Sequence, residues 1–226
     1  PSKSDSCAGQ GVANCTPKGC LSYLAPGYFR CFASAMEGQG NTQAVSQCMR
    51  AATSSEYVIE ALNTQRPPYS IGSDGYGVDD AGVVTFAGNN WGSGSPAEGI
   101  RTPLRNGLTY LWYGNPTDRW NPTTHEVVAG ASTAEQTFVN NISKLFYDPR
   151  VAGNPVINQG YGLSYWGYTQ WRVSSAWSVT GLFNNSNAFD WHIPWGFGPI
   201  AITSVGATNS LSQVQQLELL GNMYRE

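Results

Sequence analysis

Charge is what this chain has least of: Asp, Glu, Lys and Arg make up 12% of its 226 residues, and no run of Lys or Arg occurs. With a net charge of -3 and an isoelectric point near 5.4, it carries no electrostatic footprint for a phosphate backbone, which excludes nucleic acid as a partner. Nor is there an apolar run of the roughly 20 residues that a bilayer requires, so no membrane span is expected. Histidine is scarce too. His125 and His192 lie far from the cysteines, whose irregular intervals are unlike the paired spacing of zinc sites. No metal and no other cofactor is expected.

Cysteine is absent after residue 48. Cys7, Cys15, Cys20, Cys31 and Cys48 all crowd the leading segment, which fits two disulfides stapling residues 1–50 into a lobe, with one thiol left over. Gly, Ser, Thr, Asn, Trp and Tyr are abundant where charge is missing, giving a neutral, hydrogen-bonding surface in the style of an extracellular protein. Asn14-Cys-Thr, Asn141-Ile-Ser and Asn184-Asn-Ser match the N-glycosylation pattern. The chain starts at Pro1 without a charged and then apolar leader, so it reads as a processed, secreted product. Its length suits a single domain, residues 1–226, expected to be monomeric.

Helical periodicity begins at residues 28–37, where Phe29, Phe32, Ala33 and Met36 follow the i, i+3, i+4, i+7 template before Gly38. Asn41 is the expected N-cap of a second helix carrying Val45, Cys48, Met49 and Ala52. Thr53-Ser-Ser-Glu56 has the form of a capping box opening a third, with Val58, Ile59 and Leu62, ended by Pro67-Pro68. Residues 69–95, "YSIGSDGYGVDDAGVVTFAGNNWGSGS", place glycines and Asp/Asn turns around Val83-Val-Thr-Phe86, which predicts a small β-hairpin and a long loop. Ser95-Pro-Ala-Glu98 and Thr102-Pro103 mark helix starts. Residues 114–131 read as turns, and Ser132-Thr-Ala-Glu135 caps a helix with Phe138, Ile142, Leu145 and Phe146 on one face. Residues 153–205 form an aromatic-rich region of short strands and loops, and "SLSQVQQLELLGNMYRE" closes the chain as a helix. The expected class is α+β, with a predominantly helical core, a small hairpin and a disulfide-tied leading segment.

Glu37 ends the first predicted helix. Positions 29, 33 and 37 form one stripe, which sets the Glu37 carboxylate on the buried side, where poor solvation suits a carboxyl to donate a proton to a leaving oxygen. A glycosidase needs a second carboxylate roughly 5–10 Å away, and the hairpin offers Asp74, Asp79 and Asp80. Adjacent strand residues point to opposite faces, so only one of the last two faces a given cleft: Asp80 first, with Asp79 next. Asp74, between Ser and Gly, is turn chemistry.

A glutamate ending a helix in "AMEGQGN", followed by the Gly-rich, aspartate-bearing "IGSDGYGVDDAGVVTF", resembles the lysozyme-like superfamily of cell-wall and chitosan hydrolases over about a fifth of the chain. The resemblance implies a lysozyme-like core and a glycoside hydrolase of a β-linked amino-sugar polymer, peptidoglycan before chitin or chitosan. Glu37 would be its general acid, and Asp80 or Asp79 would position water or stabilise positive charge. The interval between them departs from the pattern by two additional predicted helices.

Trp91 in "NNWGSG" and Trp120 in "TDRWNP" lie in predicted loops with few apolar neighbours; with Tyr76 of the hairpin they are the expected platforms for a polysaccharide substrate, while Trp166, Trp171 and Trp177 read as core. "CFASAMEG" also resembles the nucleophile helix of papain-like cysteine peptidases. That resemblance implies Cys31 as nucleophile, His192 as base and Asp190 as its orienter, although Gly-Tyr-Phe-Arg stands where the family has its Gly-Ser-Cys-Gly approach. His125, in a Pro/Thr turn, reads as a surface residue. A third reading is a non-catalytic cell-wall or surface carbohydrate-binding protein, which the same aromatics would serve without a carboxylate pair.

Overall fold

The computed structural model describes residues 18–67, 70, 75–86, 101–144, 171–174, 188–191 and 205–217, and they form an α+β arrangement of helices with small antiparallel sheets. The first helix, α1 (Pro26–Gly38), opens with proline at a position whose N–H would find no intrahelical partner anyway. It buries Pro26, Gly27, Arg30 and Ala33, whereas Phe32, expected in the core, is 54% exposed. The buried stripe is rotated because Arg30 is drawn inward by an ion pair, described below. Gly27 lets the helix come close to its neighbour: its N–H donates to Thr109 Oγ1 at 2.9 Å, and a Cβ there would stand 2.9 Å from the same oxygen.

Gly40, at φ 71, turns the chain out of α1, and Asn41 caps α2 (Thr42–Gln65) by accepting from the Ala44 N–H at 3.1 Å. This helix is continuous for 24 residues where the sequence predicts two. The expected capping box at Thr53 to Glu56 lies inside it. Thr53 donates to Met49 O at 3.0 Å and Ser55 to Ala51 O at 2.7 Å, so these hydroxyls are satisfied within the helix; Glu56 is engaged by Arg30 instead.

Three short strands, β1 (Lys18–Cys20), β2 (Gly75–Val78) and β3 (Val84–Thr85), pair antiparallel in that order. Gly19 faces Tyr76 across the first pair, and the tyrosine ring covers it so closely that a Cβ would stand 2.5 Å from a ring carbon. Gln65 Nε2 donates to Val84 O at 2.7 Å and Arg66 Nη2 to Phe86 O at 3.0 Å, tying the sheet to the end of α2.

Next come α3 (Arg101–Tyr113), β4 (Asp118–Asn121), β5 (Glu126–Ala129) and α4 (Ala134–Lys144). β4 and β5 form a hairpin where the sequence predicts only turns. The turn signal of Asn121-Pro-Thr-Thr is real but local: Asn121 Oδ1 accepts from the Thr123 and Thr124 N–H groups while the flanking residues pair. At the start of α4, Ser132 Oγ accepts from Ala134 N at 3.5 Å, but Glu135 is 1% exposed and is no capping-box partner. Strands β6 (Trp171–Ser174) and β7 (Ala188–Trp191) pair antiparallel, and residues 213–217 are helical within the expected closing helix.

Leu21 and Leu24, Val58, Ile59 and Leu62 of α2, Val84 and Phe86 of the sheet, and Phe138 and Ile142 of α4 make one buried cluster. Cys31 and Cys48 are free thiols, so the bridges expected from the first two helical segments are not formed; Cys7 and Cys15 lie outside the described residues. Among the described residues no helix is long and apolar enough to cross a membrane.

Candidate functional site

Between α2, the three-stranded sheet and the β4–β5 hairpin lies a half-open cleft of about 240 Å³. This falls just below the roughly 300–1,000 Å³ of ordinary ligand pockets and gives room for a single ring. Each wall has a sequence-level cause. On α2, Ser54, Ser55, Tyr57 and Val58 line it, and both serine hydroxyls donate to Ala51 O, at 3.3 and 2.7 Å. The sheet contributes Tyr76, lying over Gly19, and Gly82 of the β2–β3 turn. Gly82 needs its φ of 80, and a Cβ there would stand 2.5 Å from Pro122 Cβ, so glycine is what lets the two hairpins meet. The β4–β5 hairpin contributes Trp120, Pro122 and His125.

The cleft has two chemically different ends. At one, Tyr57 donates to Gly82 O at 2.8 Å. Partial burial, with the Glu60 and Asp79 carboxylates nearby, pushes that phenol's pKa up. Beside the other, Arg50, itself outside the lining, lays its guanidinium over the Trp120 ring, 5.8 Å from its centroid, and its Nη2 donates to His125 O at 3.1 Å. The His125 ring is tilted against Trp120 at 6.1 Å. His125 also has a φ of 57, a left-handed conformation uncommon for a residue with a Cβ.

A second cluster is buried. Arg30 of α1 donates to both Glu56 oxygens, Nε to Oε1 at 3.0 Å and Nη2 to Oε2 at 2.9 Å, and reaches Asp118 Oδ1 of β4 at 2.9 Å. Glu135 is buried nearby, and neither of its oxygens has a hydrogen-bond partner. Burial, reinforced by the Glu56 charge and opposed by Arg30, holds the Glu135 carboxyl well above the usual carboxylate range. This carboxyl lies in the interior, 1% exposed. Its role is in stability, argued below.

Of the sequence-predicted site residues, Tyr76 and Trp120 come together in the cleft. Trp120 belongs to a strand, not a loop, and is half-buried because Arg50 covers part of it. Glu37 is exposed; the last turn of α1 projects past its neighbours, so the expected burial of its carboxylate does not hold. Asp79 lies at the β2–β3 turn, not within a strand, and its Oδ1 accepts from the Ala81 N–H at 2.9 Å and the Val83 N–H at 2.8 Å, as aspartate side chains do in turns. Asp80 is exposed in the same turn. Trp91, Asp74 and His192 lie outside the described residues. Cys31 is exposed, with Sγ 3.1 Å from the Tyr113 hydroxyl.

Sequence reasoning passed over Arg30 and Arg50; it read His125 as a surface residue in a turn, and His125 is exposed there. Arg30 did leave a signal, since a lone charge amid apolar helix residues in so weakly charged a chain calls for a buried partner. Nothing comparable marks Arg50, whose role depends on a hairpin far along the sequence. Among the described residues no group of His, Cys, Asp and Glu is arranged to hold a metal. No protein family, curated protein or solved structure matches the chain.

Proposed function

We propose that this is a secreted, monomeric carbohydrate-active protein that seats one ring of a β-linked amino-sugar polymer, peptidoglycan before chitin or chitosan, in the Tyr76–Trp120 cleft. The observation that carries the reading is that two aromatic side chains with polar tips, Tyr76 and Trp120, line one ring-sized cleft, with Ser54 and Ser55 also in its lining. Flat aromatic faces suit the C–H face of a sugar, and hydroxyls suit its edge. Pull-down on insoluble peptidoglycan and chitin tests it. Trp120→Ala and Tyr76→Ala should each weaken retention about tenfold or more, by analogy with aromatic anchors at hot spots. Unchanged retention in folded variants would reject the cleft as the site.

Hydrolysis of that polymer is the second reading, and one observation favours it: the turn that bears Asp79 and Asp80 also supplies Gly82 to the cleft wall. In this reading Asp80, ahead of Asp79, is the hydrolytic carboxylate, with Glu37 as the general acid that the lysozyme-like resemblance implies. Soluble products released from peptidoglycan, and lost in Glu37→Gln and Asp80→Asn, would support it; no release by the parent protein would leave a binding protein. The cysteine-peptidase reading predicts instead that a thiol alkylator abolishes cleavage of a peptide substrate through Cys31.

A further inference from the structure

We infer that the Arg50–His125 end of the cleft recognises a carboxylate, so that the ring it seats is a sugar acid. This rests on the saccharide reading and adds the charge of the residue bound. Arg50 stands one helical turn before Ser54 on α2 and is exposed, and it touches two residues of the cleft lining, Trp120 and His125. Two contacts hold its guanidinium: the Trp120 face beneath it and the His125 carbonyl that accepts from Nη2. That bond uses one of five donors on a planar fork whose geometry matches a carboxylate. The fork is therefore oriented before any ligand arrives, which lowers the cost of ordering it on binding.

His125 is fixed with it. Its N–H donates to Asn121 O at 2.9 Å, its carbonyl is held by Arg50, and at φ 57 its imidazole lines the same cleft. An uncommon backbone conformation maintained by bonds on both sides is a device for aiming a side chain. Glu60 and Asp79 act on the Tyr57 phenol, so the lining around Tyr57 disfavours an anion, whereas Arg50 favours one; a neutral ring finds no such preference.

The test is calorimetric titration with two hexasaccharides: one wholly of N-acetylglucosamine, and one in which alternate residues carry a lactyl carboxylate. The parent protein should bind the acidic hexamer about tenfold more tightly at low salt, a difference of about 1.4 kcal/mol, and the gap should narrow as salt is raised. Arg50→Gln should bring the two ligands to parity. His125→Asn, which still tolerates a positive φ, should reduce the preference for the acidic hexamer. Equal binding of both ligands by the parent, or a preference that survives Arg50→Gln, overturns the carboxylate proposal and leaves the saccharide reading standing. Binding of neither overturns both.

Discussion

Arg30 and Glu56 meet in the interior as a two-bond fork, at 3.0 and 2.9 Å, from helices that pack side by side, and Asp118 reaches the same guanidinium from the β4–β5 hairpin. The side chains of Arg30 and Glu56 are 8% and 2% exposed. One ion cluster thereby joins α1, α2 and the strand that carries Trp120, so the interior cluster holds one wall of the cleft in place.

Removing a single partner leaves uncompensated buried charge. Arg30→Met should destabilise the protein by about 3–5 kcal/mol, and Glu56→Met should also be destabilising, while the double variant should lose much less than the sum. Urea melts of the four proteins measure this directly. Additive losses would mean that the two side chains do not act as a pair.

Glu135 makes stability depend on pH. Its folded pKa is raised by burial and by the Glu56 charge above the ordinary 4.5, so the folded chain holds this proton more tightly than the unfolded chain does. The contribution is full below the unfolded value and is lost as pH rises through the folded value. Glu56, pushed up by burial against the pull of Arg30, has the same sign. Melting temperature should therefore fall as pH is raised from about 4.5 through neutrality. Glu135→Gln should flatten that slope and exceed the parent at its alkaline end. A parent whose melting temperature rises over the same window would contradict the assignment.

Cys31 and Cys48 should react with an alkylating reagent without prior reduction, Cys31 faster because it is exposed and Cys48 is half-buried. Intact-mass and peptide analysis reads both sites. Protection of either one until a reductant is added would restore the expected disulfide.

Asn141 should carry no glycan even when the protein is made in a eukaryotic secretory pathway. Its Nδ2 donates to Ser70 Oγ at 2.9 Å from within α4, and Ser143 of the same sequon is fully buried. Mass analysis of the peptide containing Asn141 decides the matter, and an occupied sequon would mean that this helix forms differently during synthesis.

Features that depend on near neighbours were legible in the sequence. Asn41 caps α2, Gly38 stands at the end of α1, and Phe138 and Ile142 face the core. Features set by distant partners were not. Thr53-Ser-Ser-Glu56 has the letters of a capping box, but Arg30 recruits the glutamate and the helix runs through. The apolar stripe of α1 misled for the same reason, because an arginine with buried partners outcompeted Phe32 for the interior. Of the candidate site, Tyr76 and Trp120 could be picked out as aromatics among turn residues, whereas Arg50 and His125 gained meaning only when β4 and β5 paired and laid Trp120 against α2. Glu37 shows the converse: periodicity places it on the buried stripe, but among the described residues it is exposed.

The most direct test of the central claim is the indole N–H resonance of Trp120, assigned through Trp120→Phe, during titration with N-acetylglucosamine and lactyl-bearing oligosaccharides. The account predicts a saturable shift of the Trp120 signal with both ligands, greater affinity for the acidic one, and loss of that difference in Arg50→Gln. A Trp120 signal that stays fixed while the oligosaccharide binds would place the ligand elsewhere and contradict the account.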